Sequence, residues 1–373
     1  MRQQLTLLVA LLVLAAAAPA GVAGATAQTQ QEDCTFPYTV TDASGTEITL
    51  DERPDRITTL NPSAAQTVWE LGGREQVVGV TAYADYLDGF ETKTSVSATD
   101  GFGVSVERVV GTEPDLVLAP NASRTETVRA LRDAGITVYQ FAAAETLEDV
   151  TEKTTRIARL TGHCDAAVEV NAWMEANVDA ARSATANVEK PSVLYPLGGG
   201  YVANTNTFIS AMIEASGGTN ALADLGFETD YPQVSDEIIL QANPDVLVVN
   251  SRMANIQNEE PYASTTAGQN NATVVVNTDY LNQPAPRSVV FAVQNLTEGF
   301  HPDVQADFVA RSEVTVSTAT QTQTATESPI SPTSESPTSA AETATETAGS
   351  QPGFGAGVAV VALAGVALLA RRE

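Results

Sequence analysis

Residues 105 to 118 read Ser105-Val106-Glu107-Arg108-Val109-Val110-Gly111-Thr112-Glu113-Pro114-Asp115-Leu116-Val117-Leu118. Residues 235 to 248 read Ser235-Asp236-Glu237-Ile238-Ile239-Leu240-Gln241-Ala242-Asn243-Pro244-Asp245-Val246-Leu247-Val248. Serine, glutamate, proline and aspartate coincide without a gap at a separation of 130 positions. Each copy predicts a short helix, a Pro-Asp turn and a buried strand. Recurrence of such a unit predicts a chain built as two similar lobes.

The surroundings of both copies agree. Before and after the first copy, short β-branched runs at Arg56 to Leu60, Gln76 to Val80, Asp115 to Ala119 and Ile136 to Phe141 alternate with helical patterns at Ser63 to Leu71, Ser105 to Val110 and Arg124 to Ala134. Around the second, strands are expected at Ser192 to Leu197, Asp245 to Asn250 and Thr273 to Asn277, with helices at Phe208 to Ala215, Ser235 to Gln241 and Ser288 to Gly299. Such alternation predicts α/β lobes, each a parallel sheet covered by helices. Phe36 to Leu50 alternates about Asp42-Ala43-Ser44-Gly45 and predicts a hairpin ahead of the first lobe. Leu147 to Ala186 lacks proline, is strongly helical in propensity and is interrupted only near Gly162-His163-Cys164. It is expected to form one long interlobe helix, a stiff strut.

Charge excludes several partners. The 373 residues carry 46 Asp plus Glu against 19 Lys plus Arg, a net charge of -27. No basic block exists to grip nucleic acid through its phosphates or to dock on an anionic lipid surface. Hydrophobic residues make up 43% of the chain, enough for a real core. Self-repulsion at this charge opposes compaction unless salt screens it, so the composition predicts a protein adapted to high salt.

The ends describe a surface protein. Arg2, the apolar stretch Leu5 to Ala18 and the small residues Ala25-Thr26-Ala27 read as a signal peptide over residues 1–27. An N-terminal extension with the hairpin spans 28–54, the first lobe 55–145, the interlobe helix 146–187 and the second lobe 188–312. A Ser/Thr/Pro-rich stalk over 313–351 is too polar to offset its ordering entropy. Residues 352–373 hold an apolar run capped by Arg371-Arg372, of a length marginal for a membrane span and with its basic end cytoplasmic. Asn121, Asn271 and Asn295 head glycosylation sequons, whereas Asn61 is barred by Pro62. Cys34 and Cys164 are an even pair in an oxidising compartment and are expected to bond, with a stabilisation on the order of 4 to 5 kcal/mol.

Catalytic patterns are missing. His163 and His301 stand far apart without companions at metal-ligand spacing and read as surface or capping residues. The sequence contains no phosphate-binding loop, zincin helix, Cys-x-x-Cys or nucleophile elbow. No catalytic, metal or cofactor site is expected, and the chain is expected not to be an enzyme.

Residues 55 to 302 resemble the helical-hinge class of ABC-transporter substrate-binding proteins, those for cobalamin and ferric siderophores. The resemblance rests on Arg56-Ile57-Thr58-Thr59-Leu60-Asn61-Pro62-Ser63, on Val78-Gly79-Val80-Thr81-Ala82-Tyr83-Ala84-Asp85-Tyr86, on the two repeat copies, on Tyr231-Pro232-Gln233-Val234 and on Pro286-Arg287. It implies a metal chelate held between the lobes, an ABC permease dimer with its ATPase as partner, and docking of Glu107 and Glu237 on permease arginines. Tyr83 and Tyr231 correspond to aromatic cleft positions in that class and Asp279 to a polar one. Tyr86, at the end of the second of those motifs, is a further ligand-binding candidate, and Phe102 and Tyr201 join from loop placement. The chain departs from the cobalamin pattern at Asp100-Gly101-Phe102, where an indole is expected, and at Gln283, where an arginine is expected. Corrinoid and ferric siderophore both remain open as ligands. Pro352-Gly353-Phe354 with its apolar run resembles a haloarchaeal sorting signal, which implies an archaeosortase-type processing enzyme and a lipid anchor in place of the helix; a retained helix would equally tether the protein outside. The other reading of stalk and sequons is a surface adhesin or structural glycoprotein of the envelope.

Overall fold

The computed structural model describes residues 34–99 and 103–316. The expected signal peptide, the sorting segment, the stalk beyond Val316 and the candidate Phe102 lie outside the described residues.

A hairpin comes first: β1 (Tyr38–Thr41) pairs antiparallel with β2 (Glu47–Leu50). Its turn is closed by Asp42, whose carboxylate accepts from the backbone N–H of Ser44, Thr46 and Gln140 and from the Arg132 guanidinium. Burial pushes the Asp42 carboxyl up, but the bonds from Ser44, Gln140 and Thr46 outweigh it and hold the group below its ordinary value. The hairpin is thereby fastened to the first lobe.

That lobe contains β3 (Ile57–Thr59), α1 (Pro62–Glu70), β4 (Val77–Val80), β5 (Thr94–Ser95), α2 (Val106–Gly111), β6 (Leu116–Ala119), α3 (Thr125–Asp133) and β7 (Val138–Gln140). Its sheet runs β5-β4-β3-β6-β7, all parallel. Every residue of β6 is buried, as an apolar strand covered on both faces should be.

Two helices follow, α4 (Leu147–Thr161) and α5 (Cys164–Ala184). The second lobe contains β8 (Ser192–Leu194), β9 (Pro196–Gly198), β10 (Tyr201–Val202), α6 (Phe208–Ala215), β11 (Thr219–Asn220), α7 (Asp236–Ala242), β12 (Val246–Val249), α8 (Thr266–Asn270), β13 (Thr273–Val275), α9 (Thr278–Leu281) and α10 (Pro286–Phe300). Its main sheet runs β11-β8-β12-β13, again parallel, while β9 and β10 form a separate antiparallel ribbon.

The duplication extends to individual hydrogen bonds. Asp115 donates its N–H to Arg56 O at 2.8 Å and accepts the N–H of Asp55 and Arg56 on its carboxylate. Asp245 donates to Ser192 O at 2.8 Å and accepts the N–H of Ser192. Each aspartate thus staples the start of the inner strand to its neighbour. Glu113 (φ 46) and Asn243 (φ 40) both turn left-handed just before the shared proline, which stops the helix and aims the chain into the sheet. Ser105 caps α2 by accepting from Arg108 N, whereas Ser235 hydrogen-bonds the Glu237 side chain instead.

The expected single strut is corrected. Gly162, at φ 77, ends α4 in the left-handed conformation that glycine adopts without strain, and α5 begins afresh at Cys164. The helices fold back on each other, since Asn171 of α5 donates to Thr151 O and Thr155 Oγ1 of α4. Leu147 and Val150 of α4, with Trp173, Met174 and Val178 of α5, enter the core of the second lobe. Ile157 and Leu160, with Ala167 and Val170, enter that of the first. Both helices therefore bridge the cores, and the strut is doubled. Cys34 is disulfide-bonded to Cys164 at the head of α5, tying the segment ahead of the hairpin to this bend. His163 sits at the N-terminal cap of α5 and His301 at the C-terminal cap of α10; neither lies free on the surface, for His163 bonds Gln76 Oε1 and the buried His301 bonds Gly217 O.

Candidate functional site

The C-terminal ends of the strands gather the aromatics, as expected for a ligand site in parallel α/β sheets. Tyr83 is exposed on the turn that follows β4. Tyr86 lies just beyond and turns inward. Tyr195 directly follows β8, Asn250 follows β12, and α9 follows β13 through Asn277, whose side chain caps it by accepting from Asp279 N.

Helix α9 is the centre of the arrangement. Tyr280 meets Tyr86 of the first lobe edge-on at 6.5 Å and Phe291 of α10 at 5.0 Å, and Phe291 in turn meets Trp173 of α5 at 6.2 Å. On its other side, Asn282 at the C-terminal cap of α9 accepts from the buried Tyr195 hydroxyl at 2.8 Å. Burial pushes the Tyr195 phenol up to about 12, so it stays protonated and donates. Tyr231 lies within electrostatic reach of Tyr195, and Tyr201 pairs across a bridge with Gln233, two residues beyond Tyr231. An arc of rings and amides runs from the β9–β10 ribbon through α9 to the first lobe.

The first-lobe end of the arc is a buried hydrogen-bond network. Gln66 of α1 donates Nε2 to the Tyr86 hydroxyl at 3.0 Å, while its Oε1 accepts from Ser288 N at 3.2 Å and Ser288 Oγ at 3.0 Å. Ala285, at the N-terminal cap of α10, offers no side-chain acceptor, so a glutamine from the other lobe caps that helix. Burial pushes the Tyr86 phenol well above its ordinary value, although the Gln66 bond and the Arg287 charge pull the other way. The Arg287 guanidinium sits 5.9 Å from the Tyr86 ring and is shared with Glu70 at 3.4 Å. Lys153 of α4 closes the lobe junction, donating to Ser63 Oγ of the first lobe at 2.8 Å and Pro284 O of the second at 3.1 Å. Its ammonium end is enclosed, and burial pushes its pKa down to about 7.

The junction is reinforced from the C-terminal side. Trp173 Nε1 and Asn177 Nδ2 donate to Val309 O. Arg311 pairs with Glu70 at 2.9 Å and with Glu169 at 2.8 Å, carrying the chain back to the first lobe.

Of the sequence candidates, the structure brings Tyr86 and Asp279 together, close enough for the Asp279 charge to raise the Tyr86 phenol. It places Tyr201 and Tyr231 together on the second lobe and Tyr83 on the turn that follows β4. Sequence reasoning gave no role to Gln66, Tyr195, Tyr280 or Asn282. Tyr280 is adjacent to a candidate and was within reach; the other three are ordered by partners far away in sequence. Glu107 and Glu237 are both exposed in the first turns of α2 and α7. The Ser235 hydroxyl holds the Glu237 carboxyl below its ordinary value. Asn121 and Asn271 are exposed outside regular structure, whereas Asn295 lies within α10 with the Thr297 of its sequon buried. Among the described residues no group of three His, Cys, Asp or Glu could hold a metal ion. A cavity of about 520 Å³ lined by Thr146, Glu148, Arg182, Lys190 and Glu214 shares no residue with the arc.

The chain is similar to known proteins in five respects. The family model described as periplasmic binding protein matches residues 57–280, and the PGF-CTERM motif matches residues 351–373. A cobalamin-binding protein of Halobacterium salinarum is 44% identical over 310 residues, covering 79% of this chain and 84% of that one. An uncharacterized ABC transporter substrate-binding lipoprotein of Bacillus subtilis is 28% identical over 285 residues, covering 74% of this chain and 88% of that one. Among solved structures, the apo form of the periplasmic heme-binding protein RhuT from Roseiflexus sp. RS-1 superposes with a TM-score of 0.57 at 26% identity, covering 66% of this chain and 99% of that one.

Proposed function

The chain belongs to the periplasmic binding protein family, which captures substrates without transforming them, and from that premise we propose that it is the substrate-binding component of an ABC importer for a metal chelate. The ligand is a cobalamin-like corrinoid or a ferric siderophore, held between the lobes. The observation that carries this reading is the arc from Tyr201 and Tyr231 through α9 to Tyr86. It offers ring faces and edges, phenols and amides to a large chelate, while among the described residues no cluster of protein ligands competes for the metal. The names of the Halobacterium and Roseiflexus relatives, cobalamin-binding and heme-binding, fit a planar tetrapyrrole-like ligand. Arg287, the cation beside Tyr86, is already shared with Glu70, which favours a weakly charged chelate over a highly anionic one.

Delivery follows from the duplicated helices. Glu107 and Glu237 occupy the same place in each lobe and would meet one arginine on each subunit of a two-fold permease dimer, whose ATPase drives uptake. The PGF-CTERM motif marks a secreted, surface-anchored chain, and the finer reading is that an archaeosortase-type enzyme exchanges the terminal helix for a lipid on the outer face of the membrane.

Calorimetry of the purified protein, in salt on the order of 1 M to screen its charge, against cyanocobalamin, hemin and a ferric hydroxamate tests the reading. One chelate binding at a single site is expected. Silence with all three would favour a structural or adhesive envelope protein.

A further inference from the structure

Among the exposed large apolar side chains of the described residues, two stand at the same position of the repeat. Val110, 39% exposed, lies three residues after Glu107 on α2; Leu240, 44% exposed, lies three residues after Glu237 on α7. Residues three apart share a helix face, so each lobe presents one carboxylate beside one uncovered aliphatic side chain. On both helices the next residue inward, Val109 and Ile239, is buried and holds the helix on its own lobe. Val110 and Leu240 themselves are partly covered by their own lobes and leave the rest of their apolar surface to solvent.

We infer that Val110 and Leu240 are apolar anchors of a two-point docking surface, and that the partner is a two-fold permease dimer presenting, on each subunit, a basic side chain bordered by an apolar patch. The inference rests on the docking role proposed above for Glu107 and Glu237 and deepens it. A scattered exposed valine or leucine needs no explanation by itself. Coincidence at one repeat position, next to the one glutamate that both copies keep in the helix, does.

The net charge explains why a carboxylate would not suffice. Self-repulsion in a chain at -27 is relieved by screening ions. At about 1 M salt the screening length is only about 3 Å, so fully exposed charge pairs steer and select while adding little affinity. Apolar contact is not screened. Burying one half-exposed aliphatic side chain against a partner is worth about tenfold in affinity, and two such contacts about a hundredfold.

The test measures binding of the purified protein to the chelate-importing permease–ATPase complex of the same cell, held in nanodiscs, at low salt and at salt on the order of 1 M. Wild type should keep its affinity in high salt. V110S and L240S should each weaken it about tenfold there, and the pair about a hundredfold, while every variant still unfolds in one cooperative thermal transition. E107Q and E237Q should weaken binding chiefly at low salt. If wild type binds and the glutamate variants weaken binding while V110S/L240S binds as wild type, the apolar inference is overturned and the docking reading stands. If wild type fails to bind, or the glutamate variants bind unchanged at every salt concentration, the docking reading falls and takes this inference with it.

Discussion

Replacing Gln66 by methionine should loosen the junction between the lobes by an amount the structure fixes in outline. Methionine keeps the length of the side chain and fills the same buried space, so packing is nearly conserved. What disappears is the acceptor for Ser288 N and Oγ and the donor to the Tyr86 hydroxyl. Loss of the cap on α10 orphans the N–H of the fully buried Ser288, at about 1 to 3 kcal/mol. Loss of the Tyr86 bond costs about 1 kcal/mol more. The Ser288 hydroxyl loses least, because Asp279 O remains as a second acceptor at 3.3 Å. The sum is about 2 to 4 kcal/mol. Urea unfolding in constant high salt would measure it, with an unchanged dependence on denaturant. Ser288→Ala retains the backbone N–H and should cost about 1 kcal/mol alone but distinctly less in the Gln66→Met background. A loss below about 1 kcal/mol for Gln66→Met, or full additivity with Ser288→Ala, would refute the cap across the lobes.

Two further outcomes are expected. Lys153 titrates near pH 7 when folded, because burial disfavours its charge, and near 10.4 when unfolded. Between those values the unfolded chain holds a proton that the folded chain lacks, so stability should rise with pH from about 7 to about 10 and level off below 7. Thermal midpoints should show that rise in wild type and not in Lys153→Met; equal slopes in both would place the titration elsewhere. The Cys34–Cys164 bond closes a loop of 130 residues, so the double serine variant should lose about 4 to 5 kcal/mol in unfolding measurements. An unchanged midpoint would mean that the unfolded chain gains no freedom from the loss of the cross-link.

The repeat was legible because its signals are local. A serine ahead of the helix, a left-handed residue before proline and an aspartate that reaches back to the neighbouring strand are written within fourteen positions and recur in the second lobe. The break at Gly162 was visible as a glycine yet was absorbed into a long helical pattern, because propensity does not register a reversal that only tertiary packing enforces. Helix α9 has four residues, too few for a periodicity, and β5 and β11 have two each. The site network was least legible. Gln66 and Ser288 meet across 222 positions, and Tyr195 and Asn282 across 87. No spacing rule connects such pairs, and buried amides look like surface residues until their partners are in place. The exposed tyrosines could be named, Tyr83 and Tyr231 through the family resemblance and Tyr201 through its loop placement. The residues that order them could not.

The central claim is that a metal chelate sits on the arc between the lobes. An anomalous difference map from crystals grown with cyanocobalamin, hemin or a ferric hydroxamate would locate the metal directly. One peak is expected between the lobes, flanked by Tyr86 and Tyr280 on one side and by Tyr201 and Tyr231 on the other. A peak in the cavity beside Arg182 and Lys190, or on the outer surface of either lobe, would contradict it.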